Sequence, residues 1–155
     1  MFLKNYTSSV AVSITIGRIE ATLIRCGVKG ITKEYDGKGG VVAIVFHLPG
    51  DKDDISVRLP ADEQKAQDAF WKDYCDAHPD QWKRKKTRGD FKDQAARTAW
   101  KLIQDWVEVQ MSLIQMQQAE YIQVFMPYIW DGKQTLFDRV KTNGYRALLP
   151  ESTNS

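Results

Sequence analysis

The chain has 155 residues, with 22 lysines and arginines against 20 aspartates and glutamates, and therefore a net charge of +2. A hydrophobic share of 43% with 27% charged residues excludes a mostly disordered chain, and the length fits a single domain over residues 1–155. The sequence has no apolar run of about 18 residues, so no membrane span is predicted. The polar N-terminus does not resemble a signal peptide, and two cysteines without CxxC spacing fit a reducing, cytoplasmic setting.

The first predicted element is a helix over residues 14–26. Ser13 is a candidate for the residue that caps its start, and Gly27 is suited to end it in the left-handed conformation. The apolar residues recur at alternating spacings of four and three, which is one face of a helix: Val12, Ile16, Ile19, Leu23 and Cys26.

Three strands are predicted after this helix. Residues 31–35 and 55–59 alternate in polarity, whereas residues 41–48 are β-branched and apolar on both faces. Glycine-containing turns at 36–40 and 49–54 are short, so the strands are expected to be antiparallel neighbours in a meander. Because the middle strand is apolar on both faces, we expect other elements to cover each side of it.

Helical periodicity returns in the second half of the chain. An acidic turn at Asp62 and Glu63 begins one helix, which ends before Pro79. The apolar period is unbroken over 93–126, and one helix of that length would span about 50 Å, longer than a compact domain of this size needs. Either the helix is broken, or part of it packs on another molecule. A last short helix is expected over 135–141.

These elements predict an α+β fold, with a three-stranded antiparallel sheet, helices and a long C-terminal helix. The single domain divides into a helix, meander and helix at 12–79, a basic linker at 80–92 and a helical part at 93–150.

Residues 82–92, the basic segment, contain six lysines and arginines opposed within the segment by one aspartate. Cations neutralise phosphates and aromatic rings stack on bases, so this mixture is typical of nucleic-acid binding. The alternative is a solvated linker whose aromatic rings dock on the protein. The predicted nucleic-acid contacts are Trp82, Lys83, Arg84, Lys85, Lys86, Arg88, Phe91 and Lys92.

Recognised catalytic motifs are absent from the sequence. His47 and His78 lack partners at a known spacing, and the glycines at 37–40 do not form a phosphate loop. Asp105 and Glu108 share a helix face, but two carboxylates without a third ligand more often form a charge-paired surface than a divalent-metal site. We therefore expect no catalytic residue, no metal and no cofactor.

The predicted long helix also suggests self-association. Its apolar residues cover too wide an arc for one small sheet, and glutamines interrupt its inner stripe. Two paired helices would bury this arc, and two-fold pairing is the commonest oligomeric arrangement. We predict a homodimer with Met111, Ile114 and Gln118 near its seam.

Several segments resemble a widespread family of small phage and prophage proteins. They are TKEYD at 32–36, RLP at 58–60, QAARTAWK at 94–101, DWVEVQ at 105–110, VFMPY at 124–128, TLF at 135–137 and ALLP at 147–150. The resemblance covers nearly the whole chain and implies a virus or mobile-element origin with an intracellular setting in bacteria. It carries no catalytic role.

Two functions from different classes follow from these observations. The leading hypothesis is a non-enzymatic, phage- or prophage-encoded nucleic-acid-binding accessory protein of replication or recombination. In it, the cations of the basic segment contact phosphates, and Trp82 or Phe91 stacks on a base. The alternative is a phage protein that binds and inhibits a host protein, for example an antiviral defence component.

Overall fold

The computed structural model describes residues 3–48, 50 and 52–152. Short 3-10 turns lie at Gln81–Lys83, Arg88–Phe91, Met126–Tyr128 and Arg146–Leu148. Within the described residues, no helix combines the length and apolarity needed to cross a membrane. The helices and strands in chain order are α1 (Val12–Arg25), β1 (Gly30–Tyr35), β2 (Val41–Leu48), β3 (Ile55–Pro60), α2 (Glu63–Ala77), α3 (Lys92–Gln115), α4 (Tyr121–Phe125) and α5 (Leu136–Thr142).

The sheet is the predicted antiparallel meander, with β2 between β1 and β3. The register places Phe46 opposite Ile31 on one side and opposite Val57 on the other. Because side chains alternate along a strand, Phe46 shares one face with Ile44 and Leu48, and all three are buried. The α+β fold and its strand order are therefore confirmed.

Helices α1 and α3 bury apolar side chains in the same core as this face of the sheet. Ile19 and Leu23 of α1 and Trp100 of α3 are each 0% exposed. The indole N–H of Trp100 donates a hydrogen bond to the Glu63 carboxylate at 3.1 Å, which satisfies its polar atom within the core.

The two ends of α1 differ in how well the sequence predicts them. The residue before its first turn is Ala11, which makes no side-chain capping bond, so the predicted Ser13 cap is wrong. At the other end Gly27 has φ of 89°, and the N–H of Val28 donates to the Leu23 carbonyl at 3.1 Å. This left-handed glycine ends the helix as predicted.

Of the two alternatives for residues 93–126, the structure shows the broken helix, because α3 ends at Gln115. Gln117 has φ of 60°, and its N–H donates to the Ile114 carbonyl at 3.0 Å. The next N–H, of Gln118, reaches back to the Leu113 carbonyl at 3.0 Å. This pair of bonds is a Schellman ending with glutamine in the position that glycine usually occupies. The chain therefore turns, and the apolar period resumes in a separate helix, α4.

The turn after α3 lets the apolar side of α4 pack within the same chain. Phe125 of α4 is 0% exposed, and its ring lies 5.2 Å from Phe46 and 5.6 Å from Trp106 in edge-on contacts. Of the residues predicted near a homodimer seam, Met111 is 2% exposed within a single chain. Ile114 packs partly buried against the same core, and only Gln118 of the predicted seam is exposed.

The residues that precede α1 form hydrogen bonds and an ion pair with α3. The Asn5 carbonyl accepts a hydrogen bond from the Thr98 hydroxyl at 2.9 Å, and the Ser8 carbonyl accepts from Arg97 at 3.0 Å. Asp105 accepts from Asn5 at 2.8 Å and forms ion pairs with Lys4 at 2.5 Å and Lys101 at 3.3 Å. This polar surface of α3 is thus a charge-paired helix face.

The two edges of the sheet differ in whether their backbone groups are paired. Along β3, Ile129 forms a bridge with Val57, and the Trp130 N–H donates to the Ser56 carbonyl at 2.8 Å. Among the described residues, the outer edge of β1 has no strand partner. A short segment near the C-terminus thus covers one edge, and the other edge stays open.

Candidate nucleic-acid interface

Helix α2 presents a row of aromatic rings toward the basic segment. Phe91 stacks on Phe70, with ring centroids 6.2 Å apart and an interplanar angle of 3°. The same ring lies 5.6 Å from Tyr74 and 6.4 Å from Trp71. Phe91 is therefore engaged in packing the segment against α2, which is the docking role that the sequence left open for its aromatic rings.

The Tyr74 hydroxyl fixes the backbone in the middle of the basic segment. It accepts hydrogen bonds from the backbone N–H groups of Lys85 at 2.9 Å and Lys86 at 3.1 Å. On its other side, the Tyr74 ring stacks on His78 with centroids 4.3 Å apart. Because two consecutive amides converge on one hydroxyl, the lysine backbone is held in a defined conformation.

Both arginines of the segment are turned toward the protein. The Arg84 side chain donates to the His78 carbonyl at 2.8 Å, and its guanidinium lies 5.9 Å from the centre of the Trp71 ring. Arg88 pairs with Asp68 at 2.5 Å. These contacts engage both arginines in holding the segment on α2.

The C-terminal part of the segment leads into α3. The Asp90 carboxylate accepts from the Thr87 N–H at 2.7 Å, which caps the 3-10 turn before the helix. The Gln67 side chain donates to the Arg88 carbonyl at 2.9 Å and ties the same turn to α2. Lys92 is the first residue of α3.

The tip of the segment faces solvent. The Asp80 carboxylate accepts from the Trp82 N–H at 3.1 Å, and the Trp82 side chain is 88% exposed, more than any other large apolar side chain in the described part of the chain. Lys83 and Lys85 are exposed, and the Lys86 ammonium lies 5.4 Å from the centre of the Phe91 ring. The tip therefore offers one indole ring and three ammonium groups.

The charge around the tip is smaller than the sequence count suggests. Asp80 lies 4.0 Å from the Lys83 ammonium, and Asp68 neutralises Arg88. Asp90 lies between Lys86 and Lys92 in the sequence. Of the six cations in the sequence prediction, the two arginines contact the rest of the protein. The four lysines are exposed: Lys83, Lys85 and Lys86 at the tip, and Lys92 at the start of α3.

The structure also brings together a polar group on the outer face of the sheet that the sequence analysis did not find. The imidazole Nδ1 of His47 lies 3.0 Å from the Ser56 hydroxyl, across β2 and β3. They line an open cavity of about 440 Å³ beside Trp130. The nearby Glu34 carboxylate is held by Arg58 at 2.9 Å, so it does not orient the imidazole as a catalytic triad requires. Strand alternation and the hairpin register would have placed this pair on one face.

A second overlooked group lies at the start of α2. Burial raises the pKa of the Glu63 carboxyl, the hydrogen bond from Trp100 opposes this, and nearby Asp36 adds to the rise. Glu63 lines a cavity of about 510 Å³ together with Asp36 and Lys92. Among the described residues, no group of three or more histidines, cysteines or carboxylates is placed to hold a metal ion.

Comparison with known proteins adds no relative. No protein-family model matches the chain, and neither a curated protein nor a solved structure matches it. The geometry of the basic segment is therefore the main support for a functional proposal.

Proposed function

We propose that this protein binds nucleic acid without catalysing a reaction on it, and that the basic segment is its contact surface. The observation that carries the proposal is the pair of hydrogen bonds from Lys85 and Lys86 to the Tyr74 hydroxyl. They fix a lysine-rich backbone beside an indole that is almost fully exposed. A loop of such composition that is held in place on a helix presents its charges at little further entropic cost on binding.

The binding groups differ from those predicted from sequence alone. Lys83, Lys85 and Lys86 contact phosphates, Trp82 contacts a base, and the two arginines and Phe91 support the loop. With about three phosphates neutralised, the logarithm of the binding constant falls with the logarithm of salt concentration with a slope of about −2 to −3. Six contacting cations would give about twice that slope.

The biological setting in this proposal is accessory work in phage or prophage replication or recombination. It is supported by the resemblance of segments such as QAARTAWK at 94–101 to a phage and prophage family. Neither part of the proposal requires a catalytic group, a cofactor or a metal.

A pair of charge-reversal variants tests the proposal. Lys83→Glu with Lys85→Glu is compared with Lys133→Glu and Lys141→Glu, two exposed lysines elsewhere that give the same net charge. Fluorescence anisotropy with labelled oligonucleotides at low salt measures the affinity of each variant. We expect a loss of at least about tenfold for the first pair and little change for the second. Equal losses in both pairs, or no binding by the unaltered protein, would overturn the proposal.

A second candidate function, binding to a host protein, is favoured by a different surface. Phe137, Tyr145, Leu148 and Leu149 are all substantially exposed, the last two at 69% and 66%. Tyr145, Leu148 and Leu149 are also close in sequence, and clustered exposed apolar residues are typical of protein interaction sites. In a pull-down from host lysate after nuclease treatment, this function predicts a retained partner that is lost when Leu148→Ser and Leu149→Ser are combined. Loss of the partner on nuclease treatment alone would favour nucleic-acid binding.

A further inference from the structure

We infer that the basic segment binds unpaired nucleotides, the bases of single-stranded DNA or RNA, in preference to a duplex. The inference rests on the proposed function and names its substrate class. It is argued from two observations: one aromatic ring of the segment is exposed, and few cations beside it are available to contact phosphates.

The Trp82 ring offers a stacking surface. Its backbone is fixed on one side by the Asp80 carboxylate and on the other by the Arg84 N–H, which donates to the Gln81 carbonyl at 3.3 Å. The side chain projects from this turn with 88% of its surface in solvent. An indole in this position can cover the free face of a base, and every base has such a face when it is unpaired.

A duplex does not present a free base face along its length. Its bases are stacked on one another, so the Trp82 ring would have to separate two of them to make the same contact. The free energy needed to unstack two neighbouring base pairs is comparable to the free energy gained when one base stacks on an aromatic ring. Binding of a duplex through Trp82 would therefore depend on additional contacts to phosphate.

The available cations are too few to supply those contacts. Proteins that bind duplex DNA tightly through its backbone typically neutralise about 6–10 phosphates. Here Arg84 and Arg88 are held by His78 and Asp68, so Lys83, Lys85 and Lys86 remain at the tip. Lys92, exposed at the start of α3, brings the number of available cations to four, which is still below that range. Asp80 precedes these lysines, and Asp90 separates them from Lys92, so the uninterrupted cationic stretch is short. A short cationic stretch beside one exposed ring suits a few nucleotides of a single strand.

The experiment compares three labelled probes of one mixed sequence: a 20-nucleotide DNA strand, the same strand as RNA, and its 20-base-pair DNA duplex. Fluorescence anisotropy at about 50 mM salt measures the affinity of the full chain for each probe. We expect each single strand to bind at least about tenfold more tightly than the duplex. The ratio between the DNA and RNA strands shows whether the 2′-hydroxyl contributes.

Variants of Trp82 identify the ring as the cause of the preference. Trp82→Ala is expected to weaken single-strand binding by about tenfold and to leave duplex binding nearly unchanged. Trp82→Phe keeps an aromatic face and should retain most of the affinity. Tyr35→Ala is the matched control, because Tyr35 is an aromatic residue 59% exposed on β1, outside the segment.

The outcomes separate the two proposals. A duplex that binds as tightly as the single strands, or equal losses for all probes in Trp82→Ala, would overturn the inference and leave nucleic-acid binding in place. Absence of binding to every probe would overturn both. A single-strand preference that disappears in Trp82→Ala and returns in Trp82→Phe would support the inference.

Discussion

The hydroxyl of Tyr74 accepts a hydrogen bond from the backbone N–H of Lys85 at 2.9 Å, across the gap between α2 and the basic segment. The same oxygen accepts from the next N–H, of Lys86, at 3.1 Å. One oxygen atom on α2 thus sets the conformation of the lysines that face solvent. Removing this hydroxyl would change the conformation of the basic segment and leave its charge the same.

Tyr74→Phe is therefore expected to loosen the segment without unfolding the protein. The two amides would exchange with solvent faster, and nucleic-acid affinity would fall by about 3-fold to 10-fold as pre-organisation is lost. Since water can replace the hydroxyl at this exposed site, the free energy of unfolding should change by less than about 1 kcal/mol. Hydrogen exchange by NMR and anisotropy measure these effects, with Tyr6→Phe as control. Unchanged exchange at Lys85 and Lys86 would contradict the prediction.

The second prediction concerns the return of the chain after α3. Phe125 is 0% exposed between Phe46 and Trp106, whereas Phe137 on α5 is 48% exposed. Phe125→Ala should lower the free energy of unfolding by about 3–5 kcal/mol, because it leaves a cavity in the core. Phe137→Ala should lower it by less than about 1 kcal/mol. Urea denaturation compares the two, and similar losses would argue against the packing of α4 on the sheet.

A third prediction follows from the end of α3. Gln117 has φ of 60°, a region that disfavours residues with a side chain. Gln117→Gly should raise the free energy of unfolding by about 1 kcal/mol. Gln118→Gly, at the next and exposed position, should lower it because glycine adds freedom to the unfolded chain. Thermal unfolding tests both variants, and a helix continuous through this turn would give destabilisation in both.

A fourth prediction concerns pH. Burial by itself would raise the pKa of Asp105, but hydrogen bonds from Lys4, Asn5 and Lys101 outweigh it and hold the pKa below its usual value. A carboxyl with a lowered pKa in the folded state stabilises the fold above its unfolded pKa of about 3.9, and this stabilisation is lost as the pH falls through the folded value. Asp105→Asn should therefore lower the free energy of unfolding by about 1–2 kcal/mol at pH 7.

The difference between Asp105→Asn and the unaltered protein should shrink when urea denaturation is repeated below about pH 3.9. Asp54→Asn is the matched control, because Asp54 is exposed and its nearest cation, Lys29, lies 3.9 Å away. It should have little effect at either pH. If the difference in unfolding free energy between Asp105→Asn and the unaltered protein persists at low pH, the charge of Asp105 is not its cause.

The meander could be predicted from sequence because its signals are local. Alternation in residues 31–35 and 55–59, with short turns between strands, determines both the strand order and the antiparallel direction. The break after α3 could not be predicted in this way. Its cause is a left-handed Gln117, a residue type that gives no turn signal, and the apolar spacing continues from Met111 to Phe125 across the turn.

The basic segment was predicted as a cluster, but the roles of its members depend on distant partners. Arg88 pairs with Asp68 and Phe91 stacks on Phe70, contacts across 20 and 21 positions that no local spacing rule indicates. Trp82 has no such ring partner in the described structure and stays exposed. Sequence therefore identified the charge, while tertiary packing decided which side chains remain available to a ligand.

The cover over the edge of β3 has a consequence for the order of events during synthesis. Ile129 leaves the ribosome 72 positions after Val57, its bridge partner, which corresponds to about 4–14 s at a synthesis rate of roughly 5–20 residues per second. A sheet formed during that interval would leave the edge of β3 unpaired, in addition to the edge of β1, which has no strand partner among the described residues. Unpaired edges are templates for strands of other chains. Translation through Ile129 and Trp130 is thus the step that closes this route to misassembly, and a chain halted before it would keep the route open.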